Sequence, residues 1–365
     1  MGEAPLNRGS RLRKALSLRF NVTCPDTLDI LLESWAPSSR AQYESALNKW
    51  FHHCNQFQVD PFRASHEQGV KFIVQLFKAT TLGYSAMGTI RSALSSVLPL
   101  ENGTKFGKNP MVSRLLKGIF RQRPALPKST VLWDVDIVFH HFMECNSRAE
   151  NSLKFHVMKL AVLLCILSGQ RTQTLGKLDL GYMQLENSRV IFFNSQILKT
   201  NRPGFHVEPL TLLAYPHNQV ICPVTCLREY LHMTQRLEEE SKIGPLFLSY
   251  ARPHKPISSG TIARYVVAML KEAGISMSSF SAHSCRGAST SAAKASGLSI
   301  SDIRRAAGWS NSRTFATFYD KPIVANMGHA LLRRFTEKNI SPGFPGVEQT
   351  VHTPTLGDHP YCQTV

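Results

Sequence analysis

Residues 281–321, SAHSCRGASTSAAKASGLSISDIRRAAGWSNSRTFATFYDK, decide how the rest of the chain is read. His283 and Arg286 stand three apart in a run of small residues that stops at Gly297, a spacing that puts both side chains on one helix face. Trp309 follows a glycine after a shorter predicted helix over 299–307, and Tyr319 comes ten positions later on a final helix capped near Ser312. An imidazole, a guanidinium, an indole N–H and a phenol are the parts needed to hold a phosphodiester and attack it. Upstream, Arg171 and Lys199 follow one another in an order that can complete such a site.

Composition leans the same way. Lys and Arg number 42 against 25 Asp and Glu, a net charge of +17 over 365 residues. A surplus that large points to a polyanionic partner, with nucleic acid ahead of an anionic membrane. A membrane partner would call for a basic amphipathic or lipidated segment, and neither is visible. The apolar run LAVLLCIL (160–167) is far shorter than the ~20 residues of a membrane span and reads as a buried core helix. Arg11, Arg13 and Lys14 are not followed by the apolar stretch of a secretory signal. The eight cysteines are scattered among apolar neighbours, as reduced intracellular thiols are. Cys222 and Cys226 lie four apart, but His206 and His217 do not complete a convincing zinc set.

Taken in order, residues 1–25 carry five basic side chains with little periodicity and read as a disordered basic arm. Helical spacing follows in a helix capped by Ser38 or Ser39, in a second around Val70–Phe77, in a third through Met87, Ile90, Leu94 and Val97, and in a fourth opened by Pro110. Arg114, Lys117 and Arg121 lie off the apolar face of the fourth helix; with Arg91 on the third they are the candidate DNA contacts. The stretch RQRPALPKST (121–130) reads as an exposed linker.

Beyond it, helices are predicted over 131–146, 152–168 (ended by Gly169), 174–180, 223–240, 261–273 and 282–296. Pieces at 189–193, 196–200 and 206–212 predict a small three-stranded antiparallel sheet. The fold class is therefore mainly α with that one sheet. It comprises an N-terminal helical domain over 26–123, a linker at 124–130 and a larger helical domain over 131–338. Residues 339–365, rich in Pro, Gly and Thr, read as a disordered tail.

The motifs SGQRTQTL (168–175), ILKTNRPG (197–204), AHSCRG (282–287) and AGWSNSRTFATFYDKP (307–322) resemble the tyrosine recombinase (phage integrase) family, and look closest to the recombinases of DIRS-type retroelements. The resemblance covers roughly residues 35–335. It implies a SAM-like core-binding domain followed by a catalytic domain, acting on double-stranded DNA as a homo-tetramer on two sites, in the nucleus. It also implies cutting and rejoining through a 3′-phosphotyrosine linkage without metal or small-molecule cofactor. In keeping with that, the chain has no Walker loop, dinucleotide fingerprint or HExxH, and GTKFGK (103–108) has the wrong spacing for a phosphate loop.

Under this resemblance Arg171 and Arg286 clamp the non-bridging oxygens, which paired guanidiniums do better than lysine. Tyr319 is the nucleophile, and His283 orients the phosphate, takes the phenolic proton, or both. Lys199 is the general acid to the departing 5′ oxygen. Trp309 stands where many relatives have His and is limited to donating one hydrogen bond to phosphate. Two departures stand out. Thr174 replaces the usual acid three after the first arginine, and the gap from Trp309 to Tyr319 is one residue longer than usual. Two other readings use the same residues. One is a non-catalytic helix-turn-helix regulator over 299–319, which needs neither Arg171 nor Lys199. The other is a type IB topoisomerase-like enzyme.

Overall fold

Apolar residues at helical spacing produce two separate helical cores. A computed structural model describes residues 10–124, 132–147, 152–196, 198, 201, 203–204, 207–235 and 244–309, and the chain divides into two units, Met1–Pro127 and Lys128–Val365.

The first unit contains α1 (Ser10–Phe20), α2 (Pro25–Leu32), α3 (Pro37–Gln56), α4 (His66–Ala79), α5 (Tyr84–Val97) and α6 (Pro110–Gln122). Its core gathers Leu47 and Trp50 of α3, Phe72 and Ile73 of α4, Met87 and Leu94 of α5, and Val112, Leu116 and Ile119 of α6. Ser65 and Gln68 form a reciprocal capping box at α4, and Asn109 caps α6 ahead of Pro110. At α3 the expected serine cap is absent: Pro37 opens the helix behind Ala36, with no side-chain cap.

The basic arm expected over 1–25 is corrected by the structure, which makes a helix from Ser10 onward; residues before that lie outside the described part. Leu12, Ala15 and Leu16 recur at three- and four-residue spacing and are buried in the core. The arm's charges are used internally. Arg11 pairs with Glu44 at 3.3 Å, Arg13 pairs with Asp29, and Arg19 donates to the carbonyls of Ser95 (3.1 Å) and Leu98 (2.5 Å) at the end of α5. Last-turn carbonyls have no partner within their own helix, so a guanidinium there is stabilising. By contrast, Arg114, Lys117 and Arg121 are exposed on α6, and Arg91 on α5 is half-buried.

The second unit is arranged around α8 (Leu153–Ser168), which follows α7 (Val135–Ser147) and is buried on nearly every side. Ser152 caps its start by accepting from the Phe155 amide, and Gly169 ends it in the left-handed conformation (φ 60°). Residues 160–166 of the apolar run are thus core while Leu167 is exposed, and among the described residues no helix is long and apolar enough to cross a membrane. Around α8 pack α10 (Pro223–Thr234), α11 (Ser259–Glu272) and α12 (Ser284–Ala295); the short α9 (Thr172–Leu175) and α13 (Ile300–Ala306) complete the described helices. The helix expected over 174–180 is replaced by α9 and a 3₁₀ turn at Leu180–Tyr182.

The sheet is antiparallel in the order β1 (Met183–Leu185), β2 (Arg189–Phe192), β3 (Leu210–Leu213), with Met183 opposite Phe192 and Val190 opposite Leu212. Strands β2 and β3 fall at the expected pieces 189–193 and 206–212, whereas the third strand is β1 and not the piece at 196–200. Gln196 and Leu198 lie in no strand and the other residues of 196–200 except these are outside the described part, while the three-residue β1 is too short to carry a readable alternation. Cys222 has a capping role: its Sγ accepts from the amides of Tyr215 (3.2 Å) and Thr225 (3.5 Å) at the start of α10.

Burial pushes the Cys165 and Cys226 thiols up to about 12. Below the ordinary thiol pKa both are protonated in the folded and unfolded chain alike. Between roughly 8.5 and that raised value, the unfolded chain has lost protons the folded one still holds. Stability is therefore fully present below about pH 8.5 and falls as pH rises, by up to ~1.4 kcal/mol per pH unit for each thiol. Urea midpoints measured on either side of the ordinary thiol pKa should drop in alkali; a midpoint that rises would contradict this.

Candidate active site

A cleft of about 470 Å³ in the second unit is lined by Gln170, Arg171, Thr172, Ala263, Arg264, Val267, Ala268, Ser281, Ala282, His283 and Arg286. Three of the residues singled out from sequence are therefore brought together, although Arg171 and Arg286 are 115 positions apart in the chain.

Each is placed by backbone punctuation. The left-handed turn at Gly169 redirects the chain out of α8, and a Cβ there would lie 3.2 Å from Thr290 Cγ2 of α12. Arg171 follows immediately, as the residue capping α9. His283 occupies the corresponding capping position of α12 and is exposed, whereas Arg286, one turn in, is 1 % exposed. Ser284 Oγ accepts from Trp133 Nε1 at 2.9 Å and donates to the Ser281 carbonyl at 2.6 Å, which fixes the start of α12.

Arg286 is held by main chain. Its Nη1 donates to the Gly169 carbonyl (2.8 Å) and its Nη2 to the Ala307 carbonyl (2.6 Å), joining the end of α8 to the end of α13. Gln170 does the same beside it, with Nε2 donating to the Ala306 carbonyl at 2.7 Å. The guanidinium carbon lies 4.4 Å from the centre of the Trp309 ring. Trp309 itself is 4 % exposed and packs with Ile303 and Ala307, so its indole supports the arginine from behind. It lies against the guanidinium and is not among the described residues lining the cleft.

Val207, on the connection from β2 to β3, packs behind this corner: a Cβ on Gly308 would come within 3.1 Å of Val207 Cγ1. Asn194 anchors that connection by donating to the Val207 carbonyl at 2.7 Å. Lys199 and Tyr319 lie outside the described residues. Thr174 Oγ1 donates to Gln170 Oε1 at 3.4 Å. Sequence reading missed Gln170, which looks like an ordinary polar residue after a helix, and Arg264, which falls off the buried face of α11 formed by Ile262, Val266, Met269 and Leu270.

The electrostatics are one-sided. Among the described lining residues three are arginines and none is acidic. Among the described residues no carboxylate lies within 4.0 Å of Arg171 or Arg264. Cations gathered along a wall with no acid among its described lining residues suit an anion that holds two or more of them at once.

The phage integrase family model matches residues 142–322, which include every described residue lining the cleft. No curated protein matches the chain in sequence. Among solved structures, the chain is similar to the XerH site-specific recombinase bound to palindromic difH substrate in a post-cleavage complex, at 14 % identity and a TM-score of 0.56 over 91 % of this chain and 93 % of that one. A pre-cleavage complex of XerH with difH substrate matches at 13 % and 0.54, over 91 % and 90 %. The Tn1549 transposon integrase in complex with transposon right end DNA matches at 13 % and 0.51, over 92 % and 100 %. Such low identities speak to the fold. Residues 142–322 thus match the phage integrase family, and the chain carries the tyrosine recombinase fold.

Proposed function

We propose that the protein is a DNA strand transferase that cuts and rejoins duplex DNA through a 3′-phosphotyrosine linkage. The observation that carries this reading is the cleft: Arg171, His283 and Arg286 meet there, with no acid among its described lining residues. Arg171 and Arg286 bind the non-bridging oxygens, where charge builds as the phosphorus is attacked. Trp309 and two carbonyls fix the plane of Arg286.

Tyr319 forms the new O–P bond while the bond from phosphorus to the 5′ oxygen breaks. The phenolic proton passes to His283, and the leaving 5′ oxygen takes a proton from Lys199. The bond count is unchanged, so rejoining is the same step reversed with a new 5′ hydroxyl. Assembly as a tetramer on two DNA sites, action in the nucleus and a retroelement origin belong to this reading.

The test is a suicide substrate, a nicked duplex whose cut end diffuses away. Wild-type protein should become covalently attached to DNA on a denaturing gel and Tyr319→Phe should not. Absence of a wild-type adduct on a library of nicked duplexes, with DNA binding retained, would replace this reading by one of a DNA-binding protein without catalysis.

A further inference from the structure

Arg264 has no role in the reaction just described, yet it lines the same cleft as Arg171, His283 and Arg286. It projects from α11, whose first turn is built to present it. Ser258 caps that turn by accepting from the Thr261 amide at 3.3 Å and hydrogen-bonds to Thr261 Oγ1 at 3.2 Å. Arg264 Nη2 in turn donates to Thr261 Oγ1 at 3.0 Å. This relay of short polar side chains gives an exposed guanidinium a preferred direction. Ala263, Val267 and Ala268 line the adjoining wall and leave room in front of it.

The division of labour follows from burial. Arg286 is enclosed and held by two carbonyls and an indole, so it can serve one fixed point. Arg264 is exposed, lies on a different helix and has no carboxylate within 4.0 Å among the described residues. DNA strands carry a phosphate at every nucleotide, so a cleft that takes one phosphate meets its neighbours as well. We propose that Arg264 binds a second backbone phosphate next to the one under attack, setting the register of the strand in the cleft and reading no base. The inference rests on the strand-transferase reading of this cleft.

Fluorescence anisotropy with a short mixed-sequence duplex, titrated across a salt series, tests it. A residue neutralising one phosphate contributes about 0.9 to the slope of log K against log salt. Arg264→Ala should lower that slope by about 0.9 and weaken binding to duplexes of different sequence alike, and Arg264→Lys, which keeps the charge, should restore the slope. Urea midpoints equal to wild type would show that the loss is not one of folding. A wild-type slope in Arg264→Ala, or a loss confined to one sequence, overturns the inference and leaves the strand-transferase reading standing. Failure of the wild-type protein to bind duplex DNA with any salt dependence overturns both.

Discussion

Arg286→Ala is expected to lower the rate of covalent adduct formation by ~10²–10³ and to destabilise the second unit at the same time. The rate loss is that of one preorganised donor removed from a site of developing charge. The stability loss has a separate origin. The carbonyls of Gly169 and Ala307 both accept from this guanidinium, and a buried acceptor deprived of its donor costs about 1–3 kcal/mol. Arg286→Lys separates the two effects: an ammonium keeps the charge but lacks the fork that reaches two acceptors while presenting a third edge. It should recover part of the stability and little of the rate. Single-turnover adduct formation, corrected for the folded fraction from urea titration, measures both quantities. An alanine variant within tenfold of wild type would remove Arg286 from the chemistry.

The second large effect is expected in the first unit. Trp50 is fully buried; its ring is 5.2 Å from that of Phe72 in an edge-to-face arrangement and 5.7 Å from that of His53, and its Nε1 donates to the Pro61 carbonyl at 3.0 Å. Truncating such a side chain leaves a cavity that α3, α4 and α5 cannot all close, at a cost of about 3–5 kcal/mol. Hydrogen exchange resolves where the loss falls. In Trp50→Ala the amides of α3 and α5 should lose protection by orders of magnitude while those of α8, in the other core, keep theirs. Equal loss in α8 would mean that the two cores do not unfold separately.

How far the sequence could be read depended on whether a signal was local. The period of α6, the cap of α8 at Gly169 and the apolar run inside α8 are properties of adjacent residues, and the structure places them where the spacing implies. The grouping of Arg171, His283 and Arg286 came from resemblance and order, and the cleft brings the three together. What failed was long-range. The arginines of α1 looked like a free arm because their partners, Glu44, Asp29 and the end of α5, are distant in the chain. Strand β1 is only three residues long and is specified by its pairing with β2 rather than by its own alternation. The stacking of Trp309 on Arg286 was not legible either, because the two meet through the fold and not through their spacing. Arg264 resembled a solvated helix residue because nothing along α11 reveals what stands opposite it.

Two acceptors that orient Arg286, the Gly169 and Ala307 carbonyls, are peptide oxygens at the ends of helices. Substitution at position 307 changes what hangs from the chain and leaves the oxygen where it is, so long as the helix end keeps its path, whereas at position 169 the left-handed backbone (φ 60°) strains any side chain. These two contacts are therefore exposed to insertions or deletions that slide one helix end past the other. Tolerance of substitution at position 307, with intolerance of side chains at the left-handed glycines 169 and 308 and of length change, is the mutational signature to look for around this corner.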